Sequence, residues 1–109
     1  MATDVRVVLV TSPDAVAAEG LARAVIEEGL AACANVVSGV VSIFRWEGEV
    51  QRDAEVLIVM KTTAASAPAL CARVAELHPY QVPEALVLPV DSGYAPYLDW
   101  VRGEAGGLP

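Results

Sequence analysis

The residues best suited to chemistry lie in the run His78-Pro79-Tyr80-Gln81-Val82-Pro83-Glu84, which holds the only histidine of the sequence. Two prolines make this run a rigid turn, so we expect His78 and Glu84 to approach each other across it. With a thiolate from Cys33 they would form a nitrogen, oxygen and sulfur set that accepts Cu(II) or Zn(II). The structural alternative is that His78 ends a helix, where the dipole favours its cation, and Glu84 begins a strand.

The two cysteines, Cys33 and Cys71, are too few for a disulfide scaffold and lack C-x-x-C spacing, so we expect reduced thiols. Both positions favour packing in the core, as buried structural cysteines do. A nucleophilic pair of Cys33 and His78 would also need an orienting group and an oxyanion-hole loop. The sequence contains no such loop, and it predicts a protein that is not an enzyme.

Trp46 and Lys61 are candidates of another kind. Trp46 stands at a hairpin tip, where a tryptophan is either an interface or ligand-stacking anchor or packs on a neighbouring subunit. Lys61-Thr62-Thr63 precedes a helix and could hold an anion there, yet it lacks the glycines of a phosphate loop. The acidic side chains of the hairpin are interpreted as a solvated face: Glu47, Glu49, Asp53 and Glu55.

The charge balance excludes several classes of partner. The chain carries 14 acidic and 7 basic residues, a net charge of −7. Nucleic acids and anionic membranes select clustered Lys and Arg, so neither is expected to bind. No basic region precedes an apolar run at the start of the sequence, and the apolar runs 7–10 and 56–60 are too short to span a bilayer. We therefore expect a cytoplasmic protein with no organic cofactor.

A long hairpin over residues 34–62 is the element that must position these candidates. Glu47-Gly48 supplies a two-residue turn with Gly at positive φ, and Ser38-Gly39 marks a bulge in the first arm. Each arm extends for about 40 Å, whereas a compact chain of this length is roughly 35 Å across. The hairpin should overhang its own globule, and its exposed edges and apolar faces favour a homo-oligomer.

The other elements complete the order β-α-β-β-α-β and a last helix. Residues 5–11 form the first strand, and Ser12 caps a helix that Gly29 stops. A second helix starts at Ser66 and closes at His78, before an edge strand over 84–90 and a helix over 94–102. This order is typical of an α+β, ferredoxin-like βαββαβ antiparallel sheet with helices on one face. We expect one domain over residues 1–109, a frayed tail over 103–109, and a bare sheet face that favours self-association.

Five short motifs follow one another along the chain: Leu30-Ala31-Ala32-Cys33-Ala34-Asn35, Arg45-Trp46-Glu47-Gly48-Glu49, Lys61-Thr62-Thr63, the run 78–84, and Tyr97-Leu98-Asp99-Trp100. Through their order and spacing the sequence resembles the CutA family of divalent-cation tolerance proteins over nearly its whole length. The resemblance implies a tight trimer that exchanges its long hairpins and is similar to the PII signalling proteins. It also implies a role linked to copper and other divalent metals, with no established catalytic reaction.

Carried over by position, the resemblance implies two sets of site residues. The metal side comprises Cys33, His78 and Glu84, and the cleft shared between subunits comprises Trp46, Lys61 and Tyr80. Some members carry a further cysteine where this chain has Val10, which removes one sulfur from such a site.

Three functional hypotheses follow. The leading one is a homotrimeric, cytoplasmic tolerance protein that responds to metal ions by binding Cu(II) or another divalent cation weakly at inter-subunit clefts. The alternative is a PII-like module whose clefts bind a small effector and whose hairpin tips contact a partner protein. The third is a stable trimer whose sequence serves assembly alone.

Overall fold

The computed structural model describes residues 2–106, which form a four-stranded antiparallel sheet and three helices. Along the chain these are β1 (Val5–Ser12), α1 (Ala15–Glu27), β2 (Cys33–Trp46), β3 (Glu49–Thr63), α2 (Ala67–Leu77), β4 (Leu86–Pro89) and α3 (Ala95–Glu104). The strand order is β2-β3-β1-β4, so β2 and β4 are the two edges. This is the predicted α+β, ferredoxin-like arrangement, with β4 at an edge as Pro89 indicated.

The main core lies between the sheet and helices α1 and α2. Alternate strand residues face these helices, because successive side chains of a strand point to opposite faces. The cluster is built from aliphatic side chains of both strands and helices, chiefly Val8, Val10, Ile58, Met60, Leu21, Val25, Leu70 and Val74. None of these is more than 6% exposed, so this layer fixes the sheet rigidly beneath the two helices.

The opposite sheet face was predicted to be bare, but α3 covers one end of it. Leu98 and Val101 of α3 pack with Val5, Ala32 and Ala105 in a second buried cluster. Residues 103 and 104 end the helix and Ala105 is fully buried, so the frayed tail predicted from Gly103 is wrong for these positions. The contacts that order them are distant in sequence and therefore leave no local signal. The last part of that predicted tail, 107–109, lies outside the described residues.

The helix boundaries follow local chemistry, with one correction. Asp14, not Ser12, caps α1: its Oδ1 accepts a hydrogen bond from the Ala17 amide at 2.8 Å. Ser12 is instead the buried last residue of β1. Gly29, at φ 72°, follows the end of α1 as predicted, and His78 caps the end of α2 before Pro79.

The long hairpin overhangs the globule as predicted. β1 pairs with β3 only from Val56 to Thr63, so residues 49–55 of β3 pair with β2 alone. The molecule measures 44 × 29 × 22 Å, and the overhang lies at one end of it. Glu47 and Gly48 form the turn with φ of 51° and 83°, the conformation of a two-residue type I′ link.

The predicted bulge lies in β2 between Val37 and Val40. Val37 is opposite Leu57, whereas Val40 is opposite Glu55, so β2 advances three residues while β3 advances two. Gly39 takes φ 85° there, which a residue with a Cβ adopts only with strain. As a result, the even-numbered side chains of β2 lie on one face of the sheet before the bulge and on the other face after it.

Candidate functional site

His78 is held by two hydrogen bonds at the entrance to the rigid turn. Its Nδ1 accepts from the Tyr80 amide at 3.1 Å, so Nε2 carries the ring proton and donates to the Thr11 carbonyl at 2.6 Å. The side chain is 8% exposed. Both ring nitrogens are therefore committed to positioning the turn against the end of β1.

Tyr80 connects that turn to the overhanging hairpin. Its hydroxyl donates to Oε2 of Glu55 at 2.6 Å. Burial, and then this hydrogen bond to a carboxylate, raise the pKa of Tyr80 well above its usual range. Glu55 is only 8% exposed, so the prediction that the hairpin acids form a solvated face is wrong for this residue.

Glu84 lies at the other end of the turn and is exposed in the single chain. Partial desolvation, and the neighbouring Glu55 carboxylate, raise the pKa of Glu84. The fold thus brings two carboxylates from distant parts of the sequence together beneath the hairpin.

An open cavity of about 660 Å³ lies between the turn and the hairpin. Its walls hold Trp46 and Phe44 from β2, Tyr80 from the turn, and a set of polar side chains: Thr11, Ser42, Asp53, Glu55, Gln81 and Glu84. Among the described residues that line it, none is basic. The cavity, hereafter the acidic cleft, has the chemistry to receive a cation on its carboxylates and a flat or apolar group on its aromatic wall.

Cys33 lies elsewhere on the sheet. Cys33 is paired with Lys61 of β3, whereas Thr11, whose carbonyl His78 contacts, is paired with Leu57 of β3. Lys61 and Leu57 are four residues apart on that strand. Four residues of strand span about 13 Å, so one chain does not bring Cys33 to the acidic cleft. Its Sγ lies 3.4 Å from the Tyr97 hydroxyl, and this hydrogen bond, followed by burial, raises the pKa of Tyr97 to about 12.

Of the other predicted site residues, some line the acidic cleft and others lie outside it. Trp46 and Tyr80 line the acidic cleft, whereas the Nζ of Lys61 donates to Oδ1 of Asn35 on the adjacent strand. Cys71 is partly buried against the main core, where burial raises the pKa of its thiol, as suits a packing residue. Both cysteines are free.

The described residues of a single chain do not complete a metal site. Residues 2–106 contain no group of three or more His, Cys, Asp or Glu side chains placed to hold an ion. Of the three predicted ligands, Cys33 is remote and His78 has no free lone pair, while Glu84 is exposed in the acidic cleft. The donor set that one chain offers is therefore carboxylate oxygen, and further ligands would have to come from another subunit.

The sequence reasoning missed Asp53 and Glu55 as parts of the site. The available signal was alternation along β3, which puts both on one sheet face. What the sequence did not reveal is that Tyr80 would fold over that face and bury Glu55.

In the described part of the chain, no helix has both the length and the apolarity needed to cross a membrane.

The fold and the acidic cleft define a ferredoxin-like α+β domain with an overhanging hairpin and a cation-compatible cleft. The model of the CutA1 divalent ion tolerance protein family matches residues 6–104. The chain belongs to this family.

Curated relatives and solved structures agree with this placement. The divalent-cation tolerance protein CutA of Thermus thermophilus is 50% identical over 100 residues, which cover 92% of this chain and 97% of that protein. Protein CutA of Homo sapiens is 46% identical over 93 residues, covering 85% of this chain and 52% of the human protein. The crystal structure of CutA from Xylella fastidiosa superposes with a TM-score of 0.92 at 37% identity, covering 94% of this chain and 99% of that one.

Proposed function

We propose that this protein is a homotrimeric divalent-cation tolerance protein that binds Cu(II) or another divalent cation weakly in clefts between subunits. It acts as a binding protein that responds to metal ions, not as an enzyme. Membership of the CutA1 divalent ion tolerance family supports the general role. The assembly, the cation and its ligands are the parts that we infer.

The observation that carries this proposal is the pair of carboxylates in the acidic cleft. Glu55 is almost fully buried beside Glu84, and no basic side chain among the described lining residues neutralises them. Partial desolvation, and then the Glu55 carboxylate, raise the pKa of Glu84, and a cation placed beside Glu84 would reverse that effect. A bound cation is therefore the simplest way to relieve the charge of this cleft.

Glu84 and Glu55 are the proposed oxygen ligands from one subunit. His78 would join them only by giving up its contact with Thr11 or with Tyr80, so its first role is to position the turn. Cys33 would contribute only from a neighbouring subunit. A site of carboxylate oxygens supported by one imidazole binds Cu(II) without the sulfur that would make it tight.

The test is a calorimetric titration of Cu(II) into untagged protein of verified oligomeric mass, repeated with Zn(II). We expect Glu84→Gln to weaken binding, because it keeps the shape of the side chain and removes its charge. Glu104→Gln removes an exposed carboxylate at the end of α3, so this variant is the matched control and should bind as the wild type does. His78→Ala tests the imidazole, with oligomeric mass measured in parallel to separate loss of a ligand from loss of the fold.

Binding that is absent, or that persists unchanged in both Glu84→Gln and His78→Ala, would overturn the proposed site. A monomeric mass for the wild type at all concentrations would overturn the proposed trimer. We place the protein in the cytoplasm, where its two free cysteines would stay reduced. The solved relative from Archaeoglobus fulgidus is described as a periplasmic divalent cation tolerance protein, so cell fractionation is the direct measurement.

One observation favours a second candidate function, a PII-like module that binds a small effector. The acidic cleft has the volume of a small-molecule site, and Trp46 and Tyr80 provide aromatic surface in it. In this case Trp46→Ala would abolish effector binding while Cu(II) binding survives. A thermal-shift screen of small cationic metabolites, compared between wild type and Trp46→Ala, distinguishes this function from metal binding.

A further inference from the structure

The acidic cleft contains three carboxylates, those of Asp53, Glu55 and Glu84, and none of them forms an ion pair with residues 2–106. Glu55 is 8% exposed, and the one hydrogen bond that it accepts from the described residues reaches Oε2, from Tyr80. No fully buried polar side-chain atom of these residues lacks a partner, so the free Oε1 is accessible. The cleft is therefore lined by a nine-tenths buried carboxylate with one oxygen open to a donor.

The carboxylates do not converge on one point. Asp53 and Glu55 are two residues apart on the same face of β3, so their Cα atoms lie about 7 Å apart. Residues 2–106 hold no group of three or more His, Cys, Asp or Glu side chains placed around one ion. Two separated negative charges are complementary to a ligand that carries two separated positive charges.

The opposite wall of the cleft is aromatic. Phe44 and Trp46 are 38% and 43% exposed, and the hydroxyl of Tyr80 reaches the end of the cleft at Glu55. Ammonium groups are attracted to aromatic faces, most strongly where water is partly excluded. An alkyl chain would also bury apolar surface against these rings, which a hydrated metal ion could not do.

We propose that the acidic cleft binds a linear aliphatic diamine in its doubly protonated form. One ammonium group would lie at Glu55 and Glu84, beside the ring of Tyr80, and the other at Asp53, beside Phe44. An extended spacer of about four or five carbons covers the distance between Asp53 and Glu55, at roughly 1.3 Å per bond. This inference rests on the second candidate function, the binding of a small effector, and names the chemical class of that effector.

The lining of the cleft disfavours other classes of small molecule. None of the described lining residues is basic, so a phosphate or carboxylate group would meet acidic side chains and no counter-charge. A monoamine would satisfy Glu55 and leave Asp53 unpaired. The sign and the spacing of the charges together select the diamine.

The test is an NMR titration with 1,4-diaminobutane, butylamine and 1,4-butanediol, which carry two charges, one charge and none. The buffer contains EDTA and little salt, so metal ions do not contribute and charges are weakly screened. We expect the diamine to bind about three- to fivefold more tightly than butylamine, the effect of one exposed ion pair at Asp53, and the diol not to bind. The amide signals that shift should include those of Asp53, Glu55 and Tyr80.

Two variants separate the two ends of the ligand. Asp53→Asn keeps the shape of the side chain and should abolish the preference for the diamine over butylamine. Glu55→Gln keeps an acceptor for Tyr80 and should weaken the binding of both amines roughly tenfold or more, because it removes the buried charge. Asp91→Asn, an exposed acid outside the lining of the cleft, is the matched control and should bind as the wild type does. Amide spectra and oligomeric mass show whether each variant is folded.

Absent diamine binding by the wild type, equal affinities for diamine and butylamine, or a preference that survives in Asp53→Asn would each overturn the inference. These outcomes leave the Cu(II) titration, made without EDTA, to decide the metal function by itself. Failed Cu(II) binding beside an intact diamine preference would overturn the metal function alone. A ligand of another class that depends on Trp46 in the thermal-shift screen, without diamine binding, would support the effector function and overturn this inference.

Discussion

The Tyr80 hydroxyl donates a 2.6 Å hydrogen bond to the Glu55 carboxylate, and this bond joins the turn after α2 to the overhanging part of β3. Residues 56–63 of β3 pair with β1, and Glu55 is the first residue of the hairpin arm outside this pairing. The bond therefore supports the hairpin at the point where the sheet no longer does. It also defines the depth of the acidic cleft, since both residues line it.

Tyr80→Phe removes the hydroxyl and leaves the buried Glu55 carboxylate without this donor. A buried group deprived of its hydrogen bond costs about 1–3 kcal/mol, so we expect the free energy of unfolding to fall by that amount. Urea unfolding at fixed protein concentration measures it, because the stability of an oligomer depends on concentration. Tyr94→Phe alters a tyrosine that is 77% exposed and should leave stability unchanged. Equal effects of the two substitutions would show that the bond to Glu55 contributes nothing.

Asp4→Asn breaks the ion pair that connects the start of β1 to α3. The hydrogen bond from Arg102, at 2.6 Å, lowers the pKa of Asp4 below its ordinary value, so folding favours the charged form. The stabilisation is present above the ordinary Asp pKa of about 3.9 and is lost as pH falls through the lowered pKa.

The variant should accordingly be less stable than the wild type at neutral pH and equal to it in strong acid. Urea midpoints across that pH range provide the measurement, with the exposed Asp91→Asn as control. A difference that does not change with pH would assign the effect to the shape of the side chain and not to its charge.

Gly39→Ala and Gly20→Ala form a matched pair with opposite expected signs. A Cβ at either position meets no atom within 4 Å, so only the backbone distinguishes them. Gly39 has φ 85° in the bulge, where alanine should cost about 1 kcal/mol or more. Gly20 lies inside α1, where alanine should add about 0.5–1 kcal/mol through helix propensity. Thermal unfolding of both variants checks the signs, and a stabilising Gly39→Ala would contradict the strained backbone at the bulge.

Val101→Ala tests the cover that α3 provides on the second sheet face. Val101 is fully buried against Val5 and Leu98, so truncation should cost about 2 kcal/mol. Val16→Ala, on the exposed side of α1 at 84% exposure, should shift stability by less than about 0.5 kcal/mol. If Val101→Ala behaved like Val16→Ala in urea unfolding, α3 would not be docked as described.

Features with local causes could be predicted from the sequence. Gly29, Gly39 and Gly48 all take positive φ where a stop, a bulge and a turn were expected, because only the residue itself and its neighbours decide this. The order of strands and helices was likewise predicted from apolar runs and helical spacing, and the overhang was predicted from the length of the two hairpin arms. The capping of α1 was the local exception: Ser12 was predicted to be the cap, but β1 extends through Ser12, and Asp14 caps the helix instead.

Features with distant causes could not be predicted. Glu55 was interpreted as solvated because nothing near it in sequence buries it, whereas Tyr80 arrives from 25 residues away. Ala105 was placed in a frayed tail because its neighbours Val5 and Ala32 are remote in the chain. The spatial separation of Cys33 from His78 likewise depends on strand register, which residue types alone do not fix.

The bulge at Gly39 sets a rule for changes in the length of the hairpin. Since β2 advances three residues there while β3 advances two, Phe44 and Trp46 lie on the same sheet face as Asp53 and Glu55 only because the bulge accommodates one additional residue. If β2 instead continued past Val37 in regular pairing without the bulge, Phe44 would lie opposite Val50 and both aromatic rings would turn towards the helix side, which would leave the acidic cleft without its wall. Between the bulge and the turn, insertions or deletions of two residues in both arms keep each side chain on its present sheet face. The overhang can therefore change length only in even increments if the aromatic wall of the cleft is to be kept.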